Sequence, residues 1–403
     1  MERRGEKTMS KVLSIMMGIV LVMLMLSGCT TNNEQSEMSY SEIREEAKEE
    51  MEKDKDIETE ATVDEGTHIV VDHFGNEVEV PNNIETIVTT SITPMPAVYC
   101  MFAGSAERLI GMSPSSKAAA ENSLLAQIMP EVKDVPTDFM AGGEVNIEEL
   151  LSMNPDVVFC NTSKEDEYNQ LVAAGLTVIG VSTSQWGCDS VKTFEGWVTL
   201  LGEVFQEEDK AKGISEYGQE VYQMIAERVE KISESERKRI LFLYNYSDGS
   251  IHTSGANHFG QYWCEAVGGI NVAGESDAKS LEINMEQIYE WDPDMIYITN
   301  FVPYLAEDLY NNTAFEGHDW STVRAVQENA VYKCPLGVYR WYPPSSDTPL
   351  MLLWMAKTTY PELFDDIDME QEMKAYYKEF YNIELTDDDI IQIINPSREA
   401  AGA

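Results

Sequence analysis

The sequence predicts an α/β protein of two lobes, each on a mainly parallel sheet, joined by one long α-helix. Three observations predict it. Short β-branched runs alternate with amphipathic helical stretches, the pattern of parallel sheets. One helix-turn-strand unit occurs twice, 138 residues apart. Between the two halves lies a charged stretch of roughly thirty residues with helical apolar spacing.

Composition agrees with a folded chain. Of 403 residues, 43% are hydrophobic, 9% aromatic and 25% charged, which excludes collagenous, wholly disordered and multi-span membrane classes. The formal charge is −43. So acidic a chain repels phosphate backbones, and no nucleic acid partner is expected.

The start addresses the compartment. Arg3, Arg4, Lys7 and Lys11 precede the uncharged apolar run Val12 to Leu26, too short for the roughly 20 residues of a span. This is the layout of a secretory signal peptide over residues 1–28. Leu26-Ser27-Gly28-Cys29 resembles the bacterial lipoprotein box, which implies lipidation of Cys29, membrane attachment through that lipid, and an extracytoplasmic body. Residues 29–66 are dominated by Glu, Asp, Lys, Ser and Thr. They bury too little apolar surface to offset ordering entropy and read as an acidic, disordered tether. The other cysteines are Cys100, Cys160, Cys188, Cys264 and Cys334. Five is odd and no CxxC occurs, against a disulfide framework or zinc knuckle.

The N-terminal lobe is assigned to residues 67–206. His68 to Asp72, the Phe74-Gly75-Asn76 turn and Val78-Glu79-Val80 read as a hairpin, and Ile84 to Thr89 as a buried strand. Further strands are placed at Leu109–Met112, Val157–Cys160 and Val178–Val181, with helices at Ile147–Met153 and Glu165–Ala174. The repeat pairs Asn146 to Thr162 with Asn284 to Asn300. Asn146/Asn284, Glu148/Glu286, Pro155/Pro293 and Asp156/Asp294 coincide. Each Pro-Asp stops a helix and sets a turn before a buried strand. Two copies at matched places predict two lobes of like, Rossmann-like build.

Residues 207–238 are the linker. Ala211, Ile214, Tyr217, Val221, Met224, Ile225, Val229 and Ile232 recur at 3- and 4-residue steps, as one amphipathic helix that limits relative lobe motion. The strand Arg239–Tyr244 opens the C-terminal lobe, residues 239–403.

No GxSxG, HExxH, phosphate loop, GxGxxG or paired Cys/His set occurs, and no enzyme activity or resident cofactor is expected. His252 and His258 have a poor metal spacing.

From about His68 onward the chain resembles the extracytoplasmic substrate-binding proteins of ABC importers, in the group for iron complexes, haem and corrinoids. The resemblance rests on VVDHFGNEVEVPNNIETIV, both Pro-Asp repeats, Gly268-Gly269-Ile270-Asn271 with Ala273, Asp319-Trp320 through Val331-Tyr332, and TPLMLLWMAKTTYPELF. It implies a ligand cleft between helix-linked lobes and a membrane permease dimer with its ATPase as partner. By position in the repeat, the surface Glu that engages permease basic residues on each lobe is Glu148 and Glu286.

In two-lobed binders the ligand meets loops after the C-terminal strand ends. These are Ser91 to Met95, the Thr162-Ser163 loop, Ser182 to Trp186, Tyr244–His258, Asn300–Tyr304 and Gly337–Tyr342. Trp186, Tyr246, Tyr304, Trp341 and Tyr342 offer flat aromatic surface for a metal chelate. Arg340 offers a cation for a carboxylate or oxyanion. Thr93 lies in the first loop, and Met95, His258 or Tyr246 would suit haem iron. The expected cargo is an iron complex such as a siderophore, haem or a corrinoid-like chelate. Molybdate or tungstate, and nickel chelates, are the alternatives within the family. A surface enzyme or adhesin on the same scaffold is the rival class.

Overall fold

The computed structural model describes residues 66–398. The leader, Cys29 and nearly all of the tether lie outside the described residues. β1 (Thr67–Val71) and β2 (Glu77–Pro81) pair antiparallel, as expected. The turn between them closes on Asp72, whose Oδ1 accepts the N–H groups of Phe74 (3.0 Å) and Asn76 (2.9 Å). Gly75 supplies the left-handed conformation there (φ 85°).

The N-terminal lobe continues through β3 (Ile87–Thr89), α1 (Met95–Ala103), β4 (Leu109–Gly111), α2 (Pro114–Glu121) and α3 (Leu125–Ile128). A small hairpin, β5 (Met140–Ala141) and β6 (Glu144–Val145), precedes α4 (Ile147–Met153) and β7 (Val157–Asn161). Then come α5 (Glu165–Ala173), β8 (Val178–Val181) and α6 (Ser190–Phe205). The sheet is parallel with spatial order β4-β3-β7-β8.

After α7 (Glu208–Val229), the C-terminal lobe holds β9 (Arg239–Leu243), β10 (Asn245–Ser247), β11 (Ser250–Ser254), α8 (Phe259–Ala266), β12 (Ile270–Asn271) and β13 (Ser280–Ile283). It goes on with α9 (Met285–Trp291), β14 (Met295–Ile298), α10 (Ala306–Tyr310), α11 (Arg324–Gln327) and β15 (Val331–Lys333). α12 (Thr348–Thr359), α13 (Met369–Tyr381) and α14 (Asp387–Ile394) close the chain. Its parallel sheet has the order β12-β9-β14-β15. In both sheets the second strand in sequence lies outside the first, and the third and fourth follow on the other side. The topology therefore repeats along with the sequence.

The repeated unit is built alike in both lobes. Asn146 caps α4 by accepting from Glu149 N (3.2 Å), and Asn284 caps α9 by accepting from Gln287 N (2.9 Å). Each helix ends on a left-handed residue, Asn154 (φ 50°) or Asp292 (φ 41°). The aspartate of each Pro-Asp then holds the start of the neighbouring first strand. Asp156 Oδ2 accepts from Glu85 N and Thr86 N, both at 2.8 Å. Asp294 Oδ2 accepts from Arg239 N at 2.8 Å.

The linking helix is shorter than the apolar spacing predicts. α7 stops at Val229, and Ser233 starts a separate single turn over Glu234–Glu236 by a capping box with Glu236. Ile232 still packs on the core, but from the bend between α7 and that turn. α7 is also not the sole join. One apolar cluster runs from α1 and α6 through α7 to α8, α12, α13 and α14. Leu350 through Ala356 of α12 are all buried, and the Tyr376 hydroxyl of α13 reaches Met101 Sδ of α1 at 3.7 Å.

Candidate functional site

On the N-terminal side, the cleft wall forms where α1 and α2 begin. Ser113 caps α2, its Oγ accepting from Ser116 N (3.1 Å). That hydroxyl also meets Ser115 Oγ (3.0 Å) and Ser116 Oγ (2.8 Å), and Thr93 Oγ1 lies 3.4 Å from Ser115 Oγ. A chain of hydroxyls thus spans two helix starts, where backbone donors and the helix dipole favour negative charge.

The facing wall comes from the segment after β15, folded back by a bridge between Leu336 and Arg340. Val338 and Tyr339 meet Thr93, Pro96, Ala97 and Ser116 across a crevice too tightly closed to admit a water molecule. Beside Tyr339, Arg340 is only 6% exposed. Its guanidinium carbon sits 5.0 Å from the Phe301 ring centroid and 5.5 Å from that of Tyr339, a cation–π arrangement. Nη1 reaches the Tyr339 hydroxyl at 3.5 Å. Nε is buried without a hydrogen-bond partner, and no ion pair to Arg340 forms among the described residues.

Phe301 leads to Tyr244 (rings 5.6 Å apart), and Tyr244 to His258 (4.7 Å). His258 Nδ1 lies 2.7 Å from both Ser254 Oγ and Tyr342 OH, and Gly260 N donates to both hydroxyls. Burial, with the nearby Lys279 charge, lowers the His258 pKa to about 4, so the imidazole is neutral at neutral pH. With Nδ1 engaged, Nε2 is the nitrogen a metal would use. Among the described residues no three His, Cys, Asp or Glu converge as a metal site.

The expected ligand residues do not all gather here. Thr93 lines the crevice; Arg340, His258 and Tyr342 stand on the facing lobe. Met95 is fully buried in the apolar core. Trp186 lies on Gly196 of α6 and edge-on to His73 at 5.1 Å. Tyr246 is buried, bonds His318 Nδ1 at 2.7 Å and packs on Tyr304 at 4.7 Å. Trp341 is buried with its indole N–H on Asp347 Oδ2 (3.1 Å). Tyr244, Phe301, Tyr339 and the serines of α2 had no signal beyond their place at strand ends and beside Arg340. Glu148 and Glu286 are exposed in the first turns of α4 and α9.

Two lobes with the same strand order, facing across a crevice at strand and helix ends, define a solute-binding protein of the ABC-importer type. The chain belongs to the periplasmic binding protein family, whose pattern matches residues 106–336. A periplasmic solute-binding protein of Veillonella parvula has a similar structure, with a TM-score of 0.76 at 27% identity, covering 83% of this chain and 98% of that one. The molybdate-binding protein MolA of Haemophilus influenzae is 22% identical over 340 residues, 80% of this chain and 93% of that protein. Its molybdate-bound structure superposes with a TM-score of 0.67 at 21% identity, covering 79% and 99% of the two chains. The high-affinity heme uptake protein IsdE of Staphylococcus aureus is 23% identical over 214 residues, 51% of this chain and 69% of that protein.

Proposed function

We propose that this ABC-importer binding protein captures a compact anionic cargo on Arg340 and hands it to a membrane permease. The carrying observation is a buried guanidinium with no carboxylate partner in a chain of net charge −43. Burying an unpaired charge is costly, and a bound anion would compensate it. The hydroxyls of Thr93, Ser115 and Ser116 favour a tetrahedral oxyanion such as molybdate or tungstate, which the closed crevice would admit once its walls part slightly. The molybdate-binding relative supports the same class.

The iron complex expected from the sequence is the second reading. The Tyr244 and Phe301 rings beside Arg340 and the haem-uptake relative support it, as they do a nickel chelate. A siderophore or haem would need a wider opening than an oxyanion does. We place the permease contact at Glu148 and Glu286. Three residues on from each, at matched positions, stand the exposed side chains of Leu151 (42%) and Tyr289 (41%), so each lobe offers a carboxylate and an apolar contact on one helix face. Lipid attachment at Cys29 would keep the protein beside that permease.

A thermal-shift screen of the full chain against molybdate, tungstate, sulfate, haemin, ferric siderophores and nickel-histidine tests the cargo. A true ligand at 100 times its Kd adds about 2.7 kcal/mol. Stabilisation by an oxyanion supports the first reading, and by haemin or a ferric complex alone the second. Silence across the panel overturns both.

A further inference from the structure

Asp347 stands at the start of α12, where an aspartate ordinarily caps a helix. It does not cap this one. The carboxylate is fully buried and turned instead onto the segment that carries Arg340. Oδ2 accepts from Val338 N (3.0 Å), from Trp341 Nε1 (3.1 Å) and, at 3.5 Å, from Tyr339 N. Oδ1 accepts from the Tyr377 hydroxyl of α13 (3.1 Å). Its donors therefore come from both sides of Arg340 in sequence. Gly337 lies so close that a Cβ there would sit 2.3 Å from Oδ2 and 2.4 Å from the Tyr377 oxygen, so only glycine lets the backbone rest on the carboxylate.

This carboxylate grips the segment that carries an unpaired arginine, yet its acceptor sites are taken by neutral donors. We propose that Asp347 is a positioning residue for Arg340: it fixes the 337–341 segment without neutralising the guanidinium, which stays available to an anion. The role in binding rests on the cargo reading above; the coupling of Asp347 to Arg340 does not.

Burial pushes the Asp347 carboxyl up to about 7, against the opposing pull of its hydrogen bonds. The groups facing it are Tyr377 and Tyr381 of α13 and, from the 337–341 segment, the N–H groups of Val338 and Tyr339 and the Trp341 indole. Burial raises all three tyrosines, so they stay neutral around pH 7. Protonating Asp347 removes acceptor capacity from Val338 and Trp341, so the segment loosens as pH falls from about 8 to 6.

The test is NMR of the full chain. The Trp341 indole N–H, assigned through its loss in Trp341→Phe, should titrate with a midpoint near 7, and the buried Arg340 Nε–H should move with it. Both should be static in Asp347→Asn. An Arg340 signal blind to that titration overturns the proposal whatever the cargo. With sodium molybdate as probe, Asp347→Asn should bind about tenfold more weakly at pH 8 and lose the wild-type weakening towards pH 6. Unchanged affinity and pH profile also overturn it, even where the variant is less stable. Wild-type affinity in Arg340→Met sinks the cargo reading instead and leaves the NMR coupling to decide this one.

Discussion

The guanidinium of Arg340 lies over Phe301, 5.0 Å from the ring centroid, and finds an aromatic face where a buried arginine usually finds a carboxylate. A ring quadrupole recovers part of the lost hydration, roughly 2 kcal/mol when desolvated, and leaves the net charge intact. Such a cation is costly to the free protein and useful to a bound anion.

Replacing Arg340 by Met should therefore abolish stabilisation by the anionic cargo. The unliganded protein should be unchanged or more stable by about 1 kcal/mol, because an uncompensated buried charge is gone. Melting curves with and without molybdate separate the two effects. Loss of unliganded stability would mean Arg340 serves the fold.

Asp156 holds the entry to β3 through Glu85 N and Thr86 N and through Thr86 Oγ1 (3.0 Å). Asp156→Asn should cost about 1.5–3 kcal/mol in urea unfolding, the range for hydrogen bonds to a charged group. Cargo affinity should survive, because β3 enters the sheet at the end away from α1.

A Cβ on Gly196 would lie 2.1 Å from the Trp186 ring. Gly196→Ala should push the indole off α6, shift tryptophan emission and cost about 1–3 kcal/mol of stability. Unaltered emission would show that Trp186 does not depend on that contact.

His258 is held near 4 by burial, against about 6.5 in an unfolded chain. As pH falls below 6.5 the unfolded state takes the proton first. The contribution of His258 is then present above pH 6.5 and lost between 6.5 and 4. His73, also lowered to about 4, adds to the same window. His258→Gln should flatten the fall of melting temperature across it relative to wild type; an equally steep fall would assign the acid sensitivity elsewhere.

Glu148→Lys and Glu286→Lys, singly, should lower uptake by a reconstituted permease and, together, abolish it, with cargo affinity intact. Undiminished uptake would place the docking surface elsewhere.

The repeat was legible because its signals are local. A cap at Asn146 or Asn284, a left-handed end and a Pro-Asp turn act within a few residues, and β8 and α4 have the bounds that the sequence predicts. The end of the linking helix was not, since Ile232 keeps the apolar period while Ser233 and Glu236 form a competing cap. α6, with its apolar length, went unassigned. The place of Thr93 at the crevice, and of Arg340 next to Tyr339 on its far wall, was legible from position at a strand end. Met95 and Trp341 have the right chemistry in the right loops, but both are buried in the apolar cluster that elements from the two lobes build together, which residue type and loop position do not reveal. Asp347 carried no signal at all, because a helix-start aspartate looks the same whether it faces its helix or the loop behind it.

The apolar cluster that passes without a break through α7 into α12 and α13 sets the language in which this protein can report. Lobes fused along one side act as a clasp with a stiff spine. Loading such a clasp narrows its breathing at the mouth more than it changes its outline. The two carboxylates proposed as the permease contact would then convey occupancy as a steadier spacing, a message carried in reduced fluctuation and sharpened by every contact that stiffens the spine.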